Sequence, residues 1–180
     1  DGYIARLIEK GYHVAVCDQV SEPTGRGIVE REVTRVVTPG TVFEPTLLAD
    51  ERPNYLMSIL PVGDVEQGIW HRAGLAYVDI TTGEFAATEL DGDNIGMLVL
   101  EELARIAPRE VIMPESWTER HVTMPEGTHL SPIADWMYDF GGASQTLMSH
   151  FHVSTLDGYG LKGLQSATCA AGAALQYLRN

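Results

Sequence analysis

Between residues 55 and 114 the apolar pattern changes period in an order that few folds accommodate: three β-type runs, one helix-type run and one more β-type run. An apolar run opens at residues 55–60, and residues 61–68 read as a polar turn. Leu75, Tyr77, Val78 and Ile80 then mark a strand, Thr81, Thr82 and Gly83 a tight reversal, and residues 85–90 a returning strand. Asp93 is placed to cap a helix whose Leu98, Leu103, Ala104 and Ala107 share one face and which stops at Pro108. Residues 110–113 follow as a short strand ended by Pro114.

The rest of the chain frames that block. Residues 134–151 carry Trp136, Phe140, Leu147 and Phe151 but are interrupted by Gly141 and Gly142, which predicts two short helices. Residues 164–179 place Ala167, Ala171, Ala174, Leu175 and Leu178 at helical spacing, and their small side chains allow close packing. The order β-β-β-α-β followed by helices is that of an RNase H-like α/β fold, a mixed sheet flanked by helices. Before it, residues 3–10 read as an amphipathic helix closed by Gly11, residues 12–16 as a strand and residues 21–27 as a polar loop. Val33, Val36 and Val37, alternating with Glu30, Arg31, Glu32 and Arg35, predict a strand with one wet face. Thr38-Pro39-Gly40-Thr41 ends it, with Pro39 and Gly40 suited to the corners of a type II turn. Residues 51–54 read as a linker. The first 52 residues bury little by themselves and read as the end of a larger α+β domain.

A hydrophobic content of 44% is ordinary for a globular protein, and no run of residues is long and apolar enough to span a bilayer. With no basic-then-apolar leader pattern either, the expectation is a soluble, cytoplasmic protein. Cys17 and Cys169 are too few and too far apart for a disulfide framework and are expected to be buried free thiols. The net charge of -13 opposes unaided binding to a polyanion, because affinity for duplex DNA rests on Lys and Arg neutralising phosphates. Residues 1–52 carry 6 Lys and Arg against 9 Asp and Glu, or -3, whereas residues 53–180 carry 6 against 16, or -10. That acidity suits a protein-facing module better than a DNA-facing one.

Four patterns invite a chemical reading. Gly158-Tyr-Gly-Leu-Lys-Gly163 matches the glycine pattern of dinucleotide sites, but only the weak strand signal of residues 152–157 precedes it and no carboxylate follows it. A glycine loop between helices is the reading preferred. Asp79 lies in a strand beside a hairpin, and a metal-dependent nuclease would use it together with acids such as Glu101, Glu102, Asp135 and Asp139. Against this, Asp79 is expected to bond the 81–83 turn. His150 and His152 would present both rings together only on a strand. No Walker A loop and no nucleophile elbow occur in the sequence, so neither ATPase nor hydrolase chemistry is expected of this chain and no cofactor is assigned to it.

Several segments resemble the MutS family of bacterial mismatch-repair proteins in order. Tyr3-Ile-Ala-Arg-Leu-Ile-Glu-Lys-Gly-Tyr-His-Val-Ala-Val-Cys-Asp-Gln19 is similar to the helix and strand near the end of that family's mismatch-binding domain, and residues 27–41 resemble its close. Val78-Asp-Ile-Thr-Thr-Gly-Glu-Phe85 and Ala170-Ala-Gly-Ala-Ala-Leu-Gln-Tyr-Leu178 resemble the start and end of the connector domain. The resemblance implies an end of the mismatch-binding domain over residues 1–52 and an RNase H-like connector without nuclease activity over residues 53–180. It further implies mismatched duplex DNA and MutL as partners of a homodimeric whole protein that uses ATP and Mg2+. The Phe-x-Glu that wedges a mismatch in this family does not occur here. Arg26, Arg31 and Arg35 are left as candidate neighbours of the DNA backbone, or as strand charges balanced by Glu30 and Glu32.

Overall fold

A computed structural model describes residues 2–20, 29–42, 53–118 and 124–179. The chain begins with helix α1 (Gly2–Glu9), then β1 (Val14–Gln19) and β2 (Arg31–Val37), which pair antiparallel. Alternation fails on β2 at Thr34, an extra residue between Val33 opposite Cys17 and Arg35 opposite Val16. Its hydroxyl donates to Val16 O and to Asp18 Oδ2, which pins the bulge. α1 covers one face only, through Ile8 packed on Val37 and Val42 with Ile4, Val14 and Val16 around them. Val33 and Val36 remain exposed, so the expected division into a wet and a dry face holds only at Val37. Cys17 is exposed too, contrary to expectation, because it lies on the face of β1 that α1 does not cover.

The second part is a five-stranded sheet of β3 (Leu56–Asp64), β4 (Ile69–Asp79), β5 (Glu84–Asp91), β6 (Glu110–Pro114) and β7 (His129–Ile133) in the order β5-β4-β3-β6-β7. β3, β4 and β5 form an antiparallel meander, and β6 and β7 run parallel to β3, which is the RNase H-like arrangement expected from the pattern. β3 runs on past Pro61, which a turn had been expected to claim. β6 pairs only with residues 56–58 of β3, so beyond Ser58 that edge asks for no N–H from Pro61. β7 went unexpected because Pro132 breaks a five-residue run, a position tolerable on the edge strand it proves to be.

Both faces of the sheet are covered. Helix α2 (Ile95–Ile106) buries Ile95, Val99 and Leu103 against Met57, Ile59, Leu75, Val111 and Met113. Its N-cap is Asn94 in the left-handed region, not Asp93, and the buried face is rotated from the expected one: Ala104 and Ala107 are exposed. The short helix α3 (Glu115–Thr118) continues β6. On the opposite face a 3-10 turn (Asp135–Tyr138), helix α4 (Phe140–Phe151) and helix α5 (Gln165–Arg179) pack over Leu56, Ala76, Val78 and Ile112. Residues 134–151 do divide in two, but at Asp139 and not at Gly141 and Gly142, which lie inside α4; Asp139 caps that helix by accepting from Gly142 N at 2.8 Å.

α5 is the central element of that layer, with every residue from Ser166 to Leu175 buried between sheet and α4. Helices buried all round are apolar all round; here alanine and glycine provide that with little volume. A Cβ on Gly172 would stand 2.3 Å from Ala143 Cβ, so the α4 and α5 backbones meet there. The N-terminus of α5 is capped from the sheet: Glu89 of β5 accepts from Ser166 N at 2.9 Å and Ser166 Oγ at 2.5 Å, and Arg72 of β4 approaches its other oxygen at 3.3 Å. A carboxylate at a helix N-terminus meets both unpaired N–H groups and the positive end of the dipole. Glu89→Ala is expected to destabilise the chain by about 1–2 kcal/mol, read by urea denaturation. Glu89→Gln, which keeps an acceptor, should lose less.

Candidate functional site

The two parts of the chain meet on one side chain that the sequence did not single out. Glu110 opens β6 on the α5 side of the sheet and is fully buried. Oε2 accepts from Thr38 Oγ1 at 2.5 Å and Gly40 N at 2.7 Å. Oε1 accepts from Ser131 Oγ and from Tyr177 OH, each at 2.6 Å. His13 Nε2 approaches Oε1 at 3.3 Å and Ser131 Oγ at 3.0 Å. One carboxylate thus ties the end of α1–β1 and the turn after β2 to β7 and to the last turns of α5.

The turn is shaped for this contact. Thr41 N donates to Thr38 O at 3.1 Å, and Thr38 N donates to Thr41 Oγ1 at 2.9 Å. Gly40 does not take the positive φ of the type II turn expected from Thr-Pro-Gly-Thr. Its glycine answers a want of space: a Cβ there would lie 2.9 Å from both Cβ and Oε2 of Glu110 and 3.1 Å from Leu56 Cβ. Asn54 adds a second link by donating to Val42 O at 3.1 Å. At Gly11, which does take a positive φ of 82°, a Cβ would meet the His129 ring at 2.3 Å.

Electrostatically the node favours an ionised Glu110. Burial opposes its charge, but the approach of His13 and hydrogen bonds from Ser131, Thr38 and Tyr177 outweigh that penalty and hold the carboxyl below its ordinary range. His13 is raised by its contact with Glu110, with desolvation opposing and charge attraction adding. Burial, followed by the Glu110 charge, pushes the Tyr177 phenol up. The site holds two pieces of backbone in register.

The residues weighed above as candidates for chemistry are separated and engaged elsewhere. Asp79 is the last residue of β4, with Oδ1 accepting from Thr81 N at 2.8 Å and Thr81 Oγ1 at 2.6 Å, the turn role expected of it. Asp135 accepts from Ser116 N, Asp139 caps α4, and Glu102 pairs with Arg105. Among the described residues no three His, Cys, Asp or Glu side chains are placed to hold a metal ion. Two-metal cleavage needs such convergence. The 158–163 loop joins α4 to α5, with a 3-10 turn (Asp157–Tyr159) and no strand before it. It sets Tyr159 against Phe151 at 4.8 Å beside an apolar pocket that includes Phe85, Leu147 and Leu161, where a pyrophosphate would find no cradle.

His150 accepts from Arg179 within 3.1 Å, whereas His152 ends α4 in the left-handed region, so the pair does not share a strand. Burial pushes the Cys169 thiol up to about 11, and it is the buried thiol expected. Of the basic candidates, Arg31 is exposed and Arg35 half-buried on β2, while Arg26 and the first half of the expected linker, Glu51 and Arg52, lie outside the described residues. The one hint of Glu110 in the sequence is a carboxylate at the head of an apolar strand, which must find donors once buried; which donors, only the fold decides.

Comparison with known proteins divides the chain in the same sense. Residues 1–46 match the model of MutS domain I, and residues 54–180 match that of MutS domain II. The DNA mismatch repair protein MutS of Symbiobacterium thermophilum is 45% identical over 99% of the chain, and those of Protochlamydia amoebophila and Chlorobaculum tepidum are 37% and 38% identical over 99% of it. The chain spans 20% of each relative's length.

Proposed function

The chain belongs to the MutS family of DNA mismatch repair proteins, with sequence similar to domain I followed by domain II, and from that premise we propose that it acts as a coupling piece within a mismatch-recognition ATPase. The observation that carries the proposal is Glu110, whose two oxygens hold the 38–41 turn on one side and β7 and α5 on the other. A shift in the domain I part on binding mismatched duplex DNA would be passed through this carboxylate to α5. In the whole protein, a homodimer, that shift would reach an ATPase that binds ATP and Mg2+. The chain itself has no catalytic role. Its acidic second part, at -10, offers a surface for docking MutL, and Arg26, Arg31 and Arg35 remain as neighbours for the DNA backbone. No described helix is long and apolar enough to cross a membrane.

The test uses the chain alone. Fluorescence anisotropy is expected to show no preference for G·T-mismatched over homoduplex DNA, because the charge balance opposes binding and the mismatch-wedging motif does not occur in the sequence. Chemical crosslinking should capture a weak complex with the N-terminal domain of MutL. Clear mismatch selectivity, or no crosslink at any concentration, would overturn the corresponding half of the proposal.

A further inference from the structure

The Glu110 node contains a proton-sensitive element. A carboxylate offers about four lone-pair sites. Thr38 Oγ1 and Gly40 N occupy the two on Oε2, and Ser131 Oγ and Tyr177 OH the two on Oε1. Since the Ser131 hydroxyl proton points at Glu110, its oxygen is free to accept from His13 Nε2 at 3.0 Å, and His13 reaches the carboxylate itself only at the longer 3.3 Å. His13 is therefore a fifth donor to a group whose directed bonds are already made. Of the five donors, it alone changes charge near neutral pH. Its added contribution is the attraction of an imidazolium for a buried carboxylate across the junction between the two parts of the chain.

We propose that docking of α1, β1, β2 and the 38–41 turn onto the five-stranded sheet is proton-linked through His13, tight when the imidazole is charged and looser when it is neutral. The imidazole is reachable by solvent, with 44% of its side chain exposed, so the proton can come and go without unfolding. The groups facing it are Glu110 from β6 and, through the shared Oε1, the Tyr177 phenol from α5; Ser131 from β7 is neutral. His129, also of β7, lies against Gly11 and is a second titratable group near this face. The folded-state pKa of His13 lies above its ordinary value of 6.5, so the contribution is complete below about pH 6.5 and is lost as pH rises through the folded value. The proposal concerns the chain itself and is independent of any role for DNA or MutL.

Hydrogen exchange at Gly40 reads the latch directly, because that amide donates to Glu110. Protection, corrected for the intrinsic exchange rate, is expected to fall several-fold between about pH 6 and about pH 9, since each unit of pKa displacement corresponds to about tenfold in the equilibrium. His13→Gln, which keeps a neutral donor for Ser131, should give a flat profile, and His129→Gln should keep the wild-type slope. A flat wild-type profile, or an unchanged slope in His13→Gln, overturns the proposal. Should His13→Gln fail to fold, an NMR titration of His13 in the wild type decides: a midpoint above the ordinary histidine value supports the latch, and one at or below it removes the latch.

Discussion

Glu110→Ala is expected to lower the stability of the chain by about 3–5 kcal/mol, the range seen when one partner of a buried charged network is removed. The mutation leaves Thr38, Gly40, Ser131 and Tyr177 with buried donors and no acceptor, and leaves a void at the first residue of β6. Glu110→Gln should cost less, about 1–3 kcal/mol. A carboxamide oxygen can still accept from Gly40 N, and the hydroxyls of Ser131 and Tyr177 can rotate to accept from the amide nitrogen. Gly40 cannot reverse its N–H, so the amide has one workable orientation. Urea denaturation checks the magnitudes. Equal losses for Ala and Gln would mean that charge, not hydrogen-bond satisfaction, dominates the node. The pH profile has two edges. On the acid side the contribution of Glu110 is present above the usual carboxylate range and is lost as pH falls through its depressed folded value. On the alkaline side the part due to His13 is lost as described above.

Gly74→Ala is expected to be as damaging for a different reason. Gly74 lies within β4, where a Cβ would stand 2.0 Å from Ser166 O and 2.7 Å from Ala167 N, both backbone atoms of α5. A flexible side chain could turn away, but a capped helix start cannot. Relief requires α5 to lift from the sheet and stretch its bonds to Glu89. Overpacking of this kind typically costs 1–3 kcal/mol and at a backbone contact should reach about 3 kcal/mol or more. For a chain of this length that is roughly 6–12 °C in melting temperature. Calorimetry on Gly74→Ala beside Gly83→Ala separates the causes: Gly83 has a positive φ of 78° but open space around its missing Cβ, so it reports backbone strain alone.

The RNase H-like order was legible because the first half of β3, the end of β4, β5 and α2 each display one period, and because short connections limit how such elements can be joined. The misses have local causes. Pro61 and Pro132 look like breakers until the sheet order shows that β6 pairs with β3 only as far as Ser58 and that β7 is an edge strand. The face of α2 was misplaced because alanines were counted as apolar, although Ile95, Val99, Leu103 and Ile106 carry the burial. Asp79, His150 and His152 could be judged from spacing alone. Glu110 could not, since its partners lie between 21 and 97 positions away and only the folded chain brings them together. Thr-Pro-Gly-Thr was conspicuous for the right reason and assigned the wrong geometry: its glycine makes room for a carboxylate.

The central claim is that this carboxylate transmits a change in the domain I part to α5. In the whole protein, the most direct test compares mismatch-dependent ATP turnover of the wild type with that of Thr38→Val, which removes one donor from Oε2 and leaves the β6, β7 and α5 bonds in place. The account predicts unchanged turnover without DNA and a reduced response to a G·T duplex at saturating DNA, with Glu110→Gln behaving the same way. A full response in both variants, with Gly40 exchange showing that the turn has come loose, would contradict it.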